Sequence, residues 1–371
     1  MAESTRLVDE VQVRLDDFLA DRTPQLLAIA PELEPFIDYS RSFLAGGKRF
    51  RALFCYWGWQ SVTAGDPLDA AGNGAAVDLP AVVSAAAALE MFHAAALVHD
   101  DIMDNSDTRR GNPAAHKRFE RLHREGGWLG DASGYGQSSA LLLGDLLLSW
   151  SDEVFDSALR QLPDATAAAA ARAEFNLMKT EVTVGQYLDI LEENSWKQHP
   201  ESELLQRAHR VIVYKSAKYS VEAPLAIGAA LGGASLAQVA ALRDFGLPLG
   251  IAYQLRDDVL GVFGDPRVTG KPAGDDLREG KRTVIVALAR AALPANARSL
   301  LDELLGDPGL DDRQIAMLQQ TIRASGAMEQ VEAIIARNVA RAIEAIEAAP
   351  LSAAARDQLV TLADTVSRRA S

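Results

Sequence analysis

Apolar residues recur at every fourth position near the start of the chain, at Leu7, Val11, Leu15 and Leu19, the spacing of one helix face. The pattern predicts an amphipathic helix over Thr5–Ala20 and a second over Pro24–Leu44, stopped by Gly46 and Gly47. A third helix follows directly and carries FCYWGW. Thr63–Pro80 is rich in Gly, Pro and Asp and reads as a surface loop. From Ala81 an apolar helical run continues without a breaker to Asp100. Glu125–Gln137 (EGGWLGDASGYGQ) reads as another loop, and the helix after it holds Asp145 inside LLLGDLLLSW. Asp164–Glu193 reads as one long Ala-rich helix, Lys215 and Lys218 lie on the next, and Val284–Ser371 alternates helical stretches with breaks at Pro294, Pro308 and Pro350. No period-two strand and no short repeat stands out. The expected architecture is therefore all-α, with residues 1–371 forming a single large helical bundle and function in its central cavity.

Composition narrows the class. The 371 residues are 48% hydrophobic and 24% charged, a globular balance, and the net charge of −14 argues against nucleic acid as a partner. Cys55 is the single cysteine, so no internal disulfide is available and a reducing, cytoplasmic location is expected; its plainest role is a small core residue. The N-terminus MAESTRLVDEVQV lacks the basic and apolar regions of a signal peptide, and no uninterrupted run of 18 apolar residues predicts a membrane span.

The chemistry concentrates in LVHDDIMDNSDTRRG. Asp100 and Asp104, four apart, fall on one helix face about 6 Å apart along the axis. Like charges at that spacing repel, so the arrangement needs a use. Mg²⁺ provides one, because it takes one or two carboxylates together with phosphate oxygens, which Arg109 and Arg110 can meet with planar donors. A lone acidic helix end is usually just solvated, but a second pair, Asp257 and Asp258 in YQLRDDVLGVFGD, ends another apolar run. Lys48, Arg49 and Arg51 open the helix after Gly46-Gly47, where positive charge beside exposed N–H groups suits an anion; the plainer reading is a solvated basic turn. His93 lies nearly on the face of Asp100, where a structural hydrogen-bonding role competes with a ligand role. FGDPRVTGKPAGDDLREGKRT interleaves Gly264, Gly270, Gly274 and Gly280 with Arg267, Lys271, Lys281 and Arg282, as a lid over phosphate would.

With these motifs in order, the chain resembles the trans-isoprenyl diphosphate synthases (polyprenyl synthetases) from about Gly46 to Thr283. The resemblance implies that Asp100, Asp101 and Asp104 of the first motif, with Asp257 and Asp258 of the second, hold three Mg²⁺ on an allylic diphosphate. It implies an isopentenyl diphosphate pocket from Lys48, Arg51, His93 and Arg110. Arg109, Lys215 and Lys271 match contacts to the allylic diphosphate, Lys281 the closing lid, and Gln186, Asp189 and Gln254 the polar lining. Two positions depart from the pattern: Gly261 stands fifth in DDVLG and cannot coordinate metal, and Ser216 stands where threonine is common. A homodimer is expected from the family.

Coupling would proceed by loss of diphosphate from the allylic carbon, attack by the isopentenyl double bond, and removal of the last proton by the released diphosphate. Each added five-carbon unit buries about four methylene equivalents, ~3 kcal/mol, so elongation continues until the channel is blocked. In this family a bulky residue at the Ala95 position stops the product early. Ala95 and Ala96 leave space, and Phe92, one turn deeper, is either the floor or ordinary core. Geranylgeranyl diphosphate is the expected product, with farnesyl or longer products and a class I terpene cyclase as alternatives. The paired arginines and the second basic pocket speak against the cyclase.

Overall fold

The computed structural model describes residues 2–63, 79–264, 274–307 and 309–367. The chain parts into two compact units, one of residues 1–172 and 227–234, the other of 173–226 and 235–371. Both are helical, and among the described residues the strands are two dipeptides, Thr108–Arg109 and Asn112–Pro113.

The first unit contains α1 (Ala2–Ile29), α2 (Glu34–Leu44), α3 (Phe50–Gln60), α4 (Leu79–Met103), α5 (Ala115–Glu125), α6 (Ala132–Leu159) and the start of α7 (Ala165–Ser195). α4 lies at its centre against α1, α2, α3, α5 and α6. It is apolar on every side, as a fully enclosed helix must be, and its alanines admit close neighbours; Ser151 Oγ on α6 donates to Ala88 O at 2.8 Å. By length and composition alone α4 is apolar enough to cross a membrane, contrary to the expectation of no such segment, yet 83% of its most apolar window is buried inside the protein. Leu7, Leu15 and Leu19 of α1 are fully buried with Tyr56 and Trp59 of α3, so the four-residue spacing did mark a core face.

In the second unit α8 (Glu201–Val211) runs into a π-helical segment, Ile212–Glu222, and then α9 (Ala223–Leu231). α10 (Leu236–Phe263) packs on the π segment and is followed by the short α11 (Asp275–Glu279), α12 (Val284–Ala292), α13 (Ala295–Leu304), α14 (Asp312–Ala324), α15 (Ala327–Glu347) and α16 (Ala353–Ser367). Leu255, Val259 and Val262 of α10 share a core with Leu277, Ile285, Ile315, Ile322, Val331 and Ile335.

Several expected boundaries move. α1 continues through Pro24 instead of ending near Ala20; Thr23 Oγ1 donates to Leu19 O at 2.7 Å beside the proline, which cannot donate. The stretch read as a loop over Glu125–Gln137 is helical from Ala132. Asp131 caps it by accepting from Ser133 N (3.1 Å) and Gly134 N (2.9 Å), and Gly136 is a packing glycine, where a Cβ would lie 3.0 Å from Glu120 Cβ. Most of the Thr63–Pro80 loop lies outside the described residues, although Leu79 and Pro80 already belong to α4.

Candidate functional site

In the first unit the acidic motif sits at the C-terminal end of α4. The helix stops at Met103, so Asp104 lies just past it, although Asp104 N still donates to Asp100 O at 2.8 Å. Asn105 takes φ +53°, Ser106 N reaches back to Asp101 O (3.0 Å) and Asn105 N to Ile102 O (3.4 Å), a Schellman closure with asparagine in the left-handed position. A two-residue hairpin follows, its turn formed by Arg110 (φ +52°) and Gly111 (φ +75°), both in the left-handed region that such a turn requires. The hairpin folds Arg109 back onto the helix end. Its Nε donates to Asp101 Oδ1 at 2.8 Å, its Nη2 makes a second bond to the same oxygen and lies 3.5 Å from Asp100 Oδ2.

The hairpin also brings Arg110 to the glycine-led basic motif: a Cβ built on Gly47 would lie 3.5 Å from Arg110 Nη2. Lys48 is exposed and Arg51 half-buried nearby on the chain. His93 on α4 is half-buried among these cations. Burial first, then the charges of Arg51, Arg110, Arg109 and Arg49, hold its imidazole well below the ordinary 6.5. Residues 46–51, 93 and 109–110 thus form one cationic nest around a neutral histidine. Arg49 plays a different part from its neighbours. It has φ +50°, is buried, and donates to Glu90 Oε2 (3.3 Å), Gln12 Oε1 (2.6 Å) and Leu44 O, while Glu90 Oε1 accepts from Ala52 N (3.2 Å). Glu90 received no role from the sequence; the signal was a lone glutamate inside an otherwise apolar helix.

In the second unit the π segment carries Lys215 and Ser216 between two close backbone contacts. A Cβ on Gly185 of α7 would lie 2.8 Å from Lys215 Cα, and one on Gly250 of α10 would lie 2.7 Å from Ala217 Cα. Asp189 therefore meets Lys215, with Nζ to Oδ2 at 2.5 Å, and also accepts from Lys281 Nζ at 3.3 Å. Glu193, one turn further along α7 and not anticipated, lies 2.8 Å from Lys281 Nζ. Lys218 pairs with Glu181 at 2.5 Å, so the anions facing both lysines of α7's neighbour are carboxylates of α7. Gln186 is half-buried and Ser216 buried. Gln254 Nε2 donates to Asp258 Oδ1 at 2.8 Å. Asp258 is pushed up to about 7 by burial, with Asp257 and Asp189 adding to the rise against Gln254 and Lys215. Lys271 lies outside the described residues.

Among the described residues no three His, Cys, Asp or Glu side chains converge as a ready-made metal cage. Mg²⁺ does not need one, since it binds through one or two carboxylates and completes its shell with waters and phosphate oxygens. The donor set fits it: Asp258 keeps Oδ2 buried with no hydrogen-bond partner among the described residues, and a cation there relieves both its desolvation and its repulsion from Asp257.

The polyprenyl synthetase family model matches residues 32–322. A short chain isoprenyl diphosphate synthase of Methanothermobacter thermautotrophicus is 31% identical over 356 residues, covering 96% of this chain and 94% of that protein. A geranylgeranyl diphosphate synthase of Saccharolobus solfataricus is 32% identical, covering 76% of this chain and 74% of the relative. A crystal structure of geranylgeranyl pyrophosphate synthase from Corynebacterium glutamicum, complexed with isoprenyl diphosphate and magnesium, aligns with a TM-score of 0.89 at 36% identity over 98% of this chain and 99% of that one. Family model, relatives and fold agree, and the chain belongs to the polyprenyl synthetase family.

Proposed function

We propose that the chain is an Mg²⁺-dependent trans-prenyltransferase that condenses isopentenyl diphosphate with an allylic diphosphate of five to fifteen carbons, giving geranylgeranyl diphosphate. The observation that carries this reading is the cationic nest of the first unit, with Arg110 against Gly47 and His93 kept neutral, next to the acidic end of α4. A neutral imidazole among guanidiniums leaves the local charge positive in a chain of net charge −14, which suits a diphosphate held without metal.

In this reading Lys48, Arg51, His93 and Arg110 orient isopentenyl diphosphate. Asp100, Asp101, Asp104, Asp257 and Asp258 hold the divalent ions, three being expected. Bound Mg²⁺ neutralises the allylic diphosphate and makes it a better leaving group. Arg109, now shared between Asp100 and Asp101, turns part of its donor set to phosphate oxygens, as do Lys215 and Lys271. Gln186, Asp189, Ser216 and Gln254 line the reacting carbons, and Lys281 secures the lid. Holding both substrates makes attack of the double bond on the allylic carbon effectively unimolecular. The proton lost afterwards goes to the released diphosphate. We take residues 1–371 as one functional domain, because the chemistry needs both acidic motifs, and the working enzyme as a cytoplasmic homodimer.

The twenty-carbon product is favoured by the relatives named geranylgeranyl diphosphate synthases and by the small buried Ala95 below the aspartates. The test supplies radiolabelled isopentenyl diphosphate, Mg²⁺ and C5, C10 or C15 allylic primers, then chromatographs the dephosphorylated products. Geranylgeraniol is expected from all three. No incorporation of label overturns the reading, and a shorter or longer alcohol corrects the product.

A further inference from the structure

The second acidic motif lacks a side chain at its fifth position, Gly261, and another element fills the vacated space. A Cβ built on Gly261 would overlap the Asp276 carboxylate, with Oδ1 2.6 Å away and Oδ2 closer still. Standard bond lengths place an aspartate's own carboxylate oxygens about 2.4 Å from its Cβ. The oxygens of Asp276 therefore lie in the shell that a carboxylate borne by position 261 would reach. Gly261 stands four residues after Asp257 and three after Asp258 on α10, hence on the face the two share.

Asp276 is delivered there by a fixed backbone. Leu277 beside it is fully buried, Gly306 N donates to Leu277 O at 2.9 Å, and Lys281 N donates to Asp276 O at 3.0 Å. A second observation points to a ligand on this face: Asp258, only 6% exposed, has Oδ2 without a hydrogen-bond partner among the described residues. A buried carboxylate oxygen left in that state is costly unless a cation or donor joins it.

We infer that Asp276 supplies the metal-directed carboxylate that the second motif lacks at position 261. The inference rests on the prenyltransferase reading above. Among the described residues three carboxylates do not converge on one inner-shell point, and Mg²⁺ retains several of its waters, so Asp276 acts on the ion through that water shell. It needs glycine at 261, because any side chain there displaces it.

The experiment is calorimetric titration of MgCl₂ into the full-length protein with saturating inorganic diphosphate, a readout independent of turnover. Asp276→Asn keeps the shape and removes the charge. It is expected to raise the half-saturating Mg²⁺ concentration about tenfold, the scale of losing an outer-shell partner, while leaving the metal-free urea midpoint unchanged. The double variant Gly261→Asp/Asp276→Gly returns a carboxylate to α10 and is expected to recover most of the lost affinity. An Asp276→Asn titration within twofold of wild type overturns the inference. So does a loss matched by metal-free destabilisation and not recovered in the double variant, which makes Asp276 purely structural. If the wild type itself binds diphosphate with no Mg²⁺ dependence, the prenyltransferase reading fails instead.

Discussion

Arg49 Nη1 lies 3.3 Å from Glu90 Oε2, and both side chains are almost wholly buried. The pair ties the left-handed turn after Gly46-Gly47 to the middle of α4, and Glu90 also receives Ala52 N at the start of α3. It thereby sets where Arg51 and Lys48 stand relative to His93. Sequence proximity made all three basic residues equal candidates for anion binding; burial assigns Arg49 to the scaffold.

Removing one partner of a buried ion pair leaves an uncompensated charge, which typically costs about 3–5 kcal/mol. Glu90→Ala is expected to lose that much in urea denaturation, whereas Glu90→Gln keeps an acceptor for Ala52 N and loses less. A Glu90→Ala loss below about 1 kcal/mol removes the pair from the scaffold.

His93 is held well below 6.5 by burial and four arginines. In the unfolded chain it takes up a proton as pH falls through about 6.5, while the folded chain does not. The unfolded state then binds more protons, so this stabilisation is present above 6.5 and declines as pH drops below it. His93→Gln should flatten the acid limb by up to about 1.4 kcal/mol per pH unit. The direct check is NMR of the histidine Cε1–H resonances: one signal, absent in His93→Gln, should titrate well below the ordinary 6.5. A midpoint near 6.5 for that signal overturns the cationic-nest electrostatics.

Asp189 accepts from two lysines, Lys215 and Lys281, which reach it from separate stretches of chain. Asp189→Ala leaves these ammonium groups without their shared acceptor, Lys281 keeping Glu193. Acylation of the native protein with an N-hydroxysuccinimide ester, read by mass spectrometry, is expected to label Lys215 several-fold faster in Asp189→Ala than in wild type, and Lys281 less so. Equal labelling of Lys215 means the pair does not restrain it.

Much of the fold was legible because apolar periodicity reports burial directly: Leu7, Leu15 and Leu19 are core residues as their spacing required. Composition misled where a residue type serves two ends. Gly136 looked like a loop residue but lets α6 approach α5, and Pro24 looked like the start of a second helix yet lies inside α1. The two acidic motifs stood out in the sequence, as did Asp189 and Lys215 taken separately, but the ion pair that joins those two did not. The turn that aims Arg109 at Asp101 was not legible either, because it depends on Arg110 adopting positive φ, which no propensity favours. Asp276 was invisible for a related reason: its relation to Gly261 is a through-space contact between separate elements, with no periodic trace.

Phe92 is 5% exposed on α4, and Ala95 is fully buried one turn nearer the aspartates. If the growing chain runs down this side of α4, its length depends on the volumes at these two positions. Phe92→Ala should lengthen the product beyond twenty carbons, at a stability cost of about 3–5 kcal/mol for the cavity it opens. Ala95→Phe acts in the opposite sense, shortening the product toward fifteen carbons, with an overpacking cost of about 1–3 kcal/mol. Both are read by chromatography of dephosphorylated products, with circular dichroism to confirm folding. The pair is more informative than either alone, since opposite shifts in length cannot arise from general loosening of the core. Unchanged product lengths in a folded Phe92→Ala enzyme assign Phe92 to ordinary packing, and the length limit must then be set by other residues.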